Sequence, residues 1–141
     1  SSLAIELKNK YSHYQVLAFD NLKRRGSELN LPRLKSAGID FFHGDIRNPE
    51  DFAGLPKIDV IIEASAEPSV LAGLDGTPDY VVNTNLVGTV NCLNFAVKNK
   101  SDFVFLSTSR VYPIEKIEEI EFTEGETRFE ISPQQKLKGV S

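Results

Sequence analysis

Residues 78–107 read PDYVVNTNLVGTVNCLNFAVKNKSDFVFLS, and this stretch contains a helix pattern followed directly by a strand pattern. In its first part, apolar residues at spacings of four, four, three and four share one face of a helix: Val82, Leu86, Val90, Leu93 and Val97. The pattern predicts a helix over residues 78–100, and Pro78 suits its start. The second part, residues 102–107, is a continuous apolar run that predicts a strand. A helix that leads into a buried strand is typical of an α/β protein.

The rest of the chain up to this point repeats the alternation of helix and strand. Three further apolar runs predict strands, at residues 15–20, 40–43 and 59–63. Helix patterns lie between them and before them, at residues 3–10, 27–37 and, as a single turn, 49–52. The runs are continuously apolar rather than alternating, which is typical of a parallel sheet covered by helices on both faces. We therefore predict an α/β fold with a doubly wound parallel sheet, followed over residues 113–141 by an irregular segment rich in Glu and Lys.

Composition argues against several classes of protein. The net charge of −4 gives no electrostatic reason to expect a nucleic-acid partner, because phosphate binding needs a basic face. No apolar run approaches the roughly twenty residues that a membrane span requires. The only cysteine, Cys92, fits a reducing compartment, so we expect a cytoplasmic protein with this thiol buried in the long helix. His13 and His43 have no Cys, His or carboxylate partners at ligand spacing, so no metal site is predicted.

Polar side chains at the carboxyl ends of the strands are the candidates for ligand binding, because ligands bind there in this class of fold. Asp20 ends the first apolar run, and a carboxylate there can accept both ribose hydroxyls of an adenosine while repelling the extra phosphate of NADP. Its alternative role is that of a solvated loop residue. Lys23, Arg24 and Arg25 follow, and an arginine there can pair with a 2′-phosphate. Because the Asp20 carboxylate would repel that phosphate, we favour NAD as the cofactor. The three cations are then expected to be mostly solvated or directed toward the pyrophosphate.

The ends of the later strands carry weaker candidates. Asp45 can accept a hydrogen bond from an adenine amino group, although aspartate is also common in such turns. The small residues 64–66 allow a flat dinucleotide to approach the strand end, or they only pack tightly. Hydroxyls at residues 107–109 can donate to a substrate oxygen, although serine-rich turns are common. Gly88, inside the long helix, is expected to permit close contact between helix and sheet.

A Tyr-x-x-x-Lys spacing occurs at Tyr112 and Lys116. This spacing forms a catalytic acid–base pair when both residues share one face of a helix. Here Pro113 follows Tyr112 directly and disfavours the helical conformation for it. Tyr112 also follows the last strand too closely to stand opposite a cofactor. We therefore predict that this pair is not catalytic.

Five stretches, in this order and register, resemble the extended short-chain dehydrogenase/reductase family, which includes the nucleotide-sugar epimerases and dehydratases. They are Phe19-Asp-Asn-Leu22, Gly44-Asp45, Ala64-Ser-Ala66, Asn83-Thr-Asn-Leu-Val-Gly-Thr89 and Leu106-Ser-Thr-Ser-Arg-Val-Tyr112. The resemblance implies a partial NAD-binding Rossmann domain over residues 1–112. Ser1-Ser-Leu-Ala-Ile5 matches the helix that follows the family's glycine-rich loop, so the domain is expected to lack the first strand and that loop. Residues 113–141 would be an irregular insertion that leads toward a catalytic Tyr/Lys helix beyond the chain, and the segment alone is expected to be inactive.

The resemblance also implies roles for individual residues, with NAD as the cofactor. The cofactor-binding residues would be Asp20, Asn21 and Leu22 at the adenosine ribose, Asp45 and Ile46 at the adenine, Ala64, Ser65 and Ala66 along the dinucleotide, and Thr84 near the ribose on the nicotinamide side. Glu67 and Thr108 would face the substrate. Thr108 would be the catalytic hydroxyl, which hydrogen-bonds the sugar oxygen being oxidised.

The function implied by the resemblance is that of an epimerase, which inverts a carbon of a nucleotide sugar by transient oxidation and re-reduction. Residues 107–113 and the stretch Glu124-Gly-Glu-Thr-Arg-Phe-Glu130 resemble the CDP-paratose 2-epimerase (CDP-tyvelose epimerase) branch, which implies C2 of a CDP-sugar. A 4,6-dehydratase is disfavoured because Ser109 and Arg110 stand where that reaction needs an acid and a base. A Rossmann module that senses a dinucleotide without catalysis is the alternative from another class. The implied partners are a nucleotide-sugar substrate and a second copy, paired through the 78–100 helix as a homodimer.

Overall fold

The computed structural model describes residues 1–69, 71–74, 77–108 and 114–134, which belong to two compact units, Ser1–Phe105 and Leu106–Ser141. Helix and strand alternate through the first unit, as the sequence predicts. Its elements are α1 (Ser2–Lys10), β1 (Leu17–Asp20), a 3₁₀ turn (Ser27–Asn30), α2 (Leu31–Ser36), β2 (Asp40–His43), a 3₁₀ turn (Pro49–Phe52), β3 (Val60–Glu63), α3 (Asp79–Val82), a π-helical segment (Asn83–Val87), α4 (Gly88–Asn99) and β4 (Asp102–Phe105). The predicted domain boundary between residues 112 and 113 lies outside the described residues.

Glycine and proline set the limits of the helical region around α2. Gly26 precedes the 3₁₀ turn with a φ of 89°, and Gly38 follows α2 with a φ of 66°. Both values lie in the left-handed region, which glycine adopts without steric cost. Pro32 lies in the first turn of α2, where its missing N–H leaves no helical hydrogen bond unmade. The predicted helix over residues 27–37 is thus present, with its first turn wound as a 3₁₀ helix.

The strands pair in parallel, as predicted, but they form two separate two-stranded sheets. β1 lies beside β2 in the register Leu17↔Asp40, and β3 lies beside β4 in the register Val60↔Asp102. In the doubly wound strand order 3-2-1-4-5, the first strand lies between the two strands that correspond to β1 and β3. No strand pairs with β1 and β3 in that position among the described residues. The fold is therefore an incomplete Rossmann fold without its first strand, which confirms the predicted class.

Several strand residues are more exposed than the sequence predicts. The continuous apolar runs predict burial on both faces, yet Val60 and Phe105 are each 51 % exposed and Val104 is 45 % exposed. The cause is the divided sheet, because a strand is buried only when neighbouring strands and helices cover it. β3 and β4 are therefore only partly covered in this structure.

The core lies where the helices meet the two sheets. Ile46, Phe52 and Cys92 form its buried cluster, and partly buried side chains pack against it: Phe19, Leu55, Phe95 and Phe103. The Phe52 ring lies 5.3 Å from that of Phe19 and 5.2 Å from that of Phe95, between ring centroids. Cys92 is 4 % exposed, which confirms that it is a small buried group. Burial raises the pKa of the Cys92 thiol to about 12, with a smaller contribution from a nearby carboxylate.

The helical region after residue 78 is interrupted, which the sequence did not predict. It contains the π-helical segment Asn83–Val87 between α3 and α4, and such segments are frequent at functional sites. The predicted apolar stripe is largely exposed, from 43 % at Leu93 to 77 % at Val97. The buried positions of α4 are instead the small residues Gly88, Cys92 and Ala96, which lie one turn apart. Among the described residues, no helix has the length and apolar character needed to cross a membrane.

The second unit is more regular than the sequence predicts. It contains a short helix, α5 (Ile114–Glu118), and an antiparallel hairpin of β5 (Phe122–Glu124) and β6 (Phe129–Ile131). Rings of Phe122 and Phe129 meet edge to face across the hairpin, with centroids 5.2 Å apart. Elements of three to five residues are too short to show a hydrophobic period, which is why the sequence suggested an irregular segment.

Candidate functional site

The loop after β1 is fixed by the residue that ends this strand. Oδ1 of Asp20 accepts a hydrogen bond of 2.7 Å from the backbone N–H of Leu22. This turn holds Leu22 at a φ of 53°, an uncommon conformation for a leucine. Asp20 is exposed at the carboxyl end of the strand. The sequence therefore places a carboxylate in a fixed turn at the edge where ligands bind in this fold.

The loop after β2 is joined to the loop after β1 through Asp45. Its carboxylate, 14 % exposed, accepts a hydrogen bond of 2.9 Å from Nδ2 of Asn21 and pairs with Arg47 at 2.5 Å. Nε of Arg47 also donates to the carboxylate at 2.9 Å. The hydrogen bond from the Arg47 side chain holds the pKa of Asp45 well below its ordinary value of 3.8, and Asp45 raises the pKa of Arg47 in return. Asp45 is therefore an ionised acceptor, which the structure brings together with Asn21.

Ile46 anchors the same loop to α4. It is buried in the core cluster, and a Cβ added at Gly88 would overlap its Cδ1 atom. Nδ2 of Asn91 donates to the carbonyl oxygens of Ile46 at 2.9 Å and of Arg47 at 3.2 Å. The predicted close approach at Gly88 is thus present, and its partner is the loop after β2.

The end of β3 is organised by a buried carboxylate. Glu63 is only 3 % exposed, and its two oxygens accept hydrogen bonds from the backbone N–H of Ser65 at 2.7 Å and from the Thr89 hydroxyl at 3.3 Å. A buried carboxylate is stable only with such partners. The turn leaves Ala64, Ser65 and Ala66 exposed at the strand end.

Asn85 is a site residue to which sequence reasoning assigned no role. Its Oδ1 accepts a hydrogen bond of 2.7 Å from the backbone N–H of Glu67, and its Nδ2 donates at 3.2 Å to the carbonyl of the same residue. One amide thereby satisfies both backbone groups of Glu67, whose carboxylate accepts from the N–H of Ser69. One feature of the sequence could have indicated this role: Asn85 lies within residues 83–89, one of the five stretches that carry the family resemblance.

Thr84 carries a polar atom without a partner. Its Oγ1 is buried and makes no hydrogen bond in the structure, the one such side-chain atom among the described residues. Thr84 lies in the π-helical segment, next to the residue that holds the turn after β3. A buried hydroxyl left unsatisfied in a native protein calls for an explanation, and a ligand hydroxyl is one. The predicted contact between Thr84 and a ribose stays a prediction.

An open depression of about 380 Å³ lies at the same edge of the unit. Its lining residues are Arg47, Asn48, Asn83 and Val87. The loop after β2 and the π-helical segment, which supply the predicted contacts at Asp45 and Thr84, therefore also border a concave surface.

The remaining predicted residues belong to the second unit. Thr108 follows the end of β4 and is exposed. Lys116 lies in α5, where its Nζ pairs with Glu119 at 2.7 Å. Tyr112, Ser109 and Arg110 lie outside the described residues, so the prediction that Tyr112 and Lys116 are not catalytic stays a prediction. Across the described parts of the chain, no three His, Cys, Asp or Glu side chains come together as a metal site.

Parallel strand pairs that alternate with helices, with polar turns at the carboxyl ends of the strands, are typical of the doubly wound Rossmann folds. The sequence profile of the NAD dependent epimerase/dehydratase family matches residues 1–134. The chain therefore belongs to this family, which confirms the resemblance stated from its sequence.

Two of the relatives that this chain matches are named as epimerases. The chain is 32 % identical over 120 residues to CDP-paratose 2-epimerase of Salmonella typhi, a match covering 81 % of this chain and 35 % of the relative. It is 30 % identical over 117 residues to UDP-glucose 4-epimerase of Rickettsia felis, covering 79 % and 33 %. The chain thus spans about a third of the length of the curated relatives it matches.

Solved structures agree on the fold. Pen from Bacillus thuringiensis superimposes with a TM-score of 0.58 at 24 % identity, over 73 % of this chain and 32 % of that one. The KRED1-Pglu enzyme superimposes with a TM-score of 0.55 at 16 % identity, over 76 % and 51 %. At these identities the likeness supports the fold and nothing finer.

Proposed function

We propose that the protein containing this chain is an NAD-dependent nucleotide-sugar epimerase, and that this chain supplies part of its cofactor site. The observation that carries the proposal is the buried, unpartnered hydroxyl of Thr84, for which a ribose hydroxyl would be a hydrogen-bond partner. The exposed carboxylate of Asp20 at the end of β1 supports it. Family membership and the epimerase names of the relatives support the reaction class.

Each predicted residue then has a chemical task. Asp20 accepts hydrogen bonds from the ribose hydroxyls, and Asp45, held ionised by Arg47, accepts from the adenine amino group. Ala64–Ala66 leave room for the dinucleotide at the end of β3. NAD, when bound, would supply a reversible hydride acceptor. Thr108 donates a hydrogen bond to the sugar oxygen, and Glu67 faces the substrate.

The finer assignment is to C2 of a CDP-sugar. It is supported by the 32 % identity to a CDP-paratose 2-epimerase, while the relatives named UDP-glucose 4-epimerase favour a different sugar and carbon. The full-length protein should be purified, tested by absorbance for bound NAD(H), and assayed in D₂O with CDP-paratose and with UDP-glucose. We expect bound dinucleotide, inversion of CDP-paratose at C2 and no solvent deuterium at the inverted carbon. Residues 1–141 alone should give no turnover.

Each contrary result has a distinct meaning. Turnover of UDP-glucose alone would replace the CDP-sugar assignment. Solvent deuterium at the inverted carbon would contradict transient oxidation. Bound dinucleotide without turnover of either sugar would favour a sensor module, and a full-length protein without dinucleotide would overturn the proposal.

Replacing Asn85 with alanine is expected to weaken NAD binding by the full-length protein roughly 10-fold, because two hydrogen bonds of about 1 kcal/mol each that hold Glu67 are lost and part of the loss is recovered by water. The dissociation constant can be measured by calorimetry. Asn94→Ala, an exposed amide of α4, is the matched control and should bind like the wild type. Equal affinity for Asn85→Ala and wild type would show that the turn needs no such support.

We also propose that the protein is a homodimer through the apolar stripe of α4 and the helical turns before it. The stripe consists of exposed residues that no described element covers: Val82, Leu86, Val90, Leu93 and Val97. Leu93→Lys should convert the full-length dimer into a monomer in light scattering, because a buried lysine would oppose the interface. Leu29→Lys changes a leucine that is 73 % exposed elsewhere and should leave the dimer intact. A monomeric wild type, or a dimeric Leu93→Lys variant, would contradict this interface.

A further inference from the structure

Two cations meet on one aromatic ring at the carboxyl edge of the first unit. Nζ of Lys23, in the loop after β1, lies 3.6 Å from the centroid of the Tyr80 ring in α3. The guanidinium carbon of Arg47, in the loop after β2, lies 5.3 Å from the same centroid. Both distances are within the range in which an aromatic face attracts a cation. Tyr80 is half-buried, so the ring is a fixed part of this edge.

The two loops that carry these cations are also linked to each other by hydrogen bonds and an ion pair. Oδ1 of Asn21 accepts a hydrogen bond of 3.0 Å from the backbone N–H of Lys23, while its Nδ2 donates to Asp45 at 2.9 Å. Asp45 pairs with Arg47, and Arg47 and Lys23 both contact Tyr80. The guanidinium of Arg47 is therefore held by Asp45 and by the ring, whereas Lys23 is held through its backbone by Asn21 and contacts the ring with its ammonium group.

This arrangement bears on the phosphate that distinguishes NADP from NAD. Lys23 follows Asp20 in the same loop, and Asp20 is the residue proposed for the ribose hydroxyls. A 2′-phosphate bound there would need a cation to offset its repulsion by the Asp20 carboxylate. Lys23 would have to leave the Tyr80 ring to provide it, and Arg47 would have to leave Asp45.

We propose that Tyr80 is a specificity-determining residue, which keeps Lys23 and Arg47 away from the 2′ position and so favours NAD over NADP. The inference rests on the proposed function, because it concerns the same dinucleotide site. Lys23 is exposed, as the sequence predicts, and it also contacts an aromatic ring, which the sequence did not predict. The preference for NAD over NADP then has two sources. Asp20 repels a 2′-phosphate, and Tyr80 holds the two cations that could otherwise bind it.

The test compares the affinities of the full-length protein for NAD⁺ and NADP⁺ in two variants. Tyr80→Leu removes the ring, whereas Tyr80→Phe keeps the aromatic face without the hydroxyl. We expect Tyr80→Leu to raise the affinity for NADP⁺ relative to NAD⁺ roughly 5-fold, the equivalent of one exposed cation–π contact. Tyr80→Phe should keep the wild-type ratio. Adding Lys23→Gln to Tyr80→Leu should abolish the gain, whereas adding Arg24→Gln should not.

The ratio of the two affinities separates this role from a structural one, since damage to the fold would weaken both dinucleotides alike. An unchanged ratio in Tyr80→Leu, or the same shift in Tyr80→Phe, would overturn the inference. A wild type that prefers NADP⁺ would overturn it as well, while leaving a dinucleotide site in place. A wild type that binds neither dinucleotide would instead overturn the proposed function on which the inference rests.

Discussion

Replacing Gly88 with alanine is expected to lower the free energy of unfolding by about 1–3 kcal/mol, the usual effect of an overpacked core. A Cβ at this position would overlap Cδ1 of Ile46 and lie 2.7 Å from its Cγ1. Ile46 cannot withdraw easily, because it is packed with Phe52 and Cys92 in the core cluster. The direction of the effect is diagnostic, since alanine is a better helix former than glycine by about 1 kcal/mol and would otherwise stabilise α4.

Denaturant unfolding of the full-length protein provides the measurement, and the chain offers a matched control. No heavy atom lies within 4 Å of a Cβ added at Gly54, so Gly54→Ala should not destabilise by a clash. Ile46→Ala removes both overlapping atoms, Cγ1 and Cδ1, so its combination with Gly88→Ala should cost less stability than the sum of the two single substitutions. If Gly88→Ala is as stable as Gly54→Ala, the contact with Ile46 is soft and Gly88 has no packing role.

The sequence predicts the elements of the first unit well, because their signals are local. Continuous apolar runs predict the bounds of the strands to within a few residues. The second helix was expected to end at Gly38, which has a positive φ in the structure. The long helix is also where it was expected, and the buried Cys92 and the close contact at Gly88 were both predicted. The hydrophobic spacing shows only that the valine and leucine stripe shares one face, and the structure buries Gly88, Cys92 and Ala96 instead of that face. Small residues pack close to a sheet, and a hydrophobic period does not register them.

The contacts of the candidate site are less predictable, since they join residues far apart in the chain. Asn85 holds the backbone of Glu67, and Tyr80 receives cations from two other loops. Nothing local distinguishes these residues from ordinary helix residues. Arg47 is the exception, because its position two residues after Asp45 is a spacing at which a loop arginine can pair with a carboxylate. Strand ends can thus be located from the sequence, while the side chains that fix them need the tertiary structure.

Replacing Thr108 with valine is expected to lower kcat of the full-length epimerase about 100-fold or more, which is typical for the loss of one donor to a developing oxyanion. Thr108 is exposed just after β4, and substrates bind beyond the carboxyl ends of strands in this fold. Valine keeps the shape of threonine without its hydroxyl. Because the hydrogen bond would strengthen as charge develops on the sugar oxygen, KM and bound NAD should change little.

Two neighbouring variants make the Thr108 experiment decisive. Thr108→Ser keeps the hydroxyl and should retain most of the activity, whereas Ser107→Ala removes an adjacent exposed hydroxyl and should leave kcat near the wild-type value. Full turnover by Thr108→Val would remove the catalytic assignment. A large loss in Ser107→Ala with none in Thr108→Val would mean that the register of the family motif is shifted by one residue here. Activity that is kept in Thr108→Val and lost in Thr108→Ser would point to the methyl group, and thus to packing at the strand end rather than to proton donation.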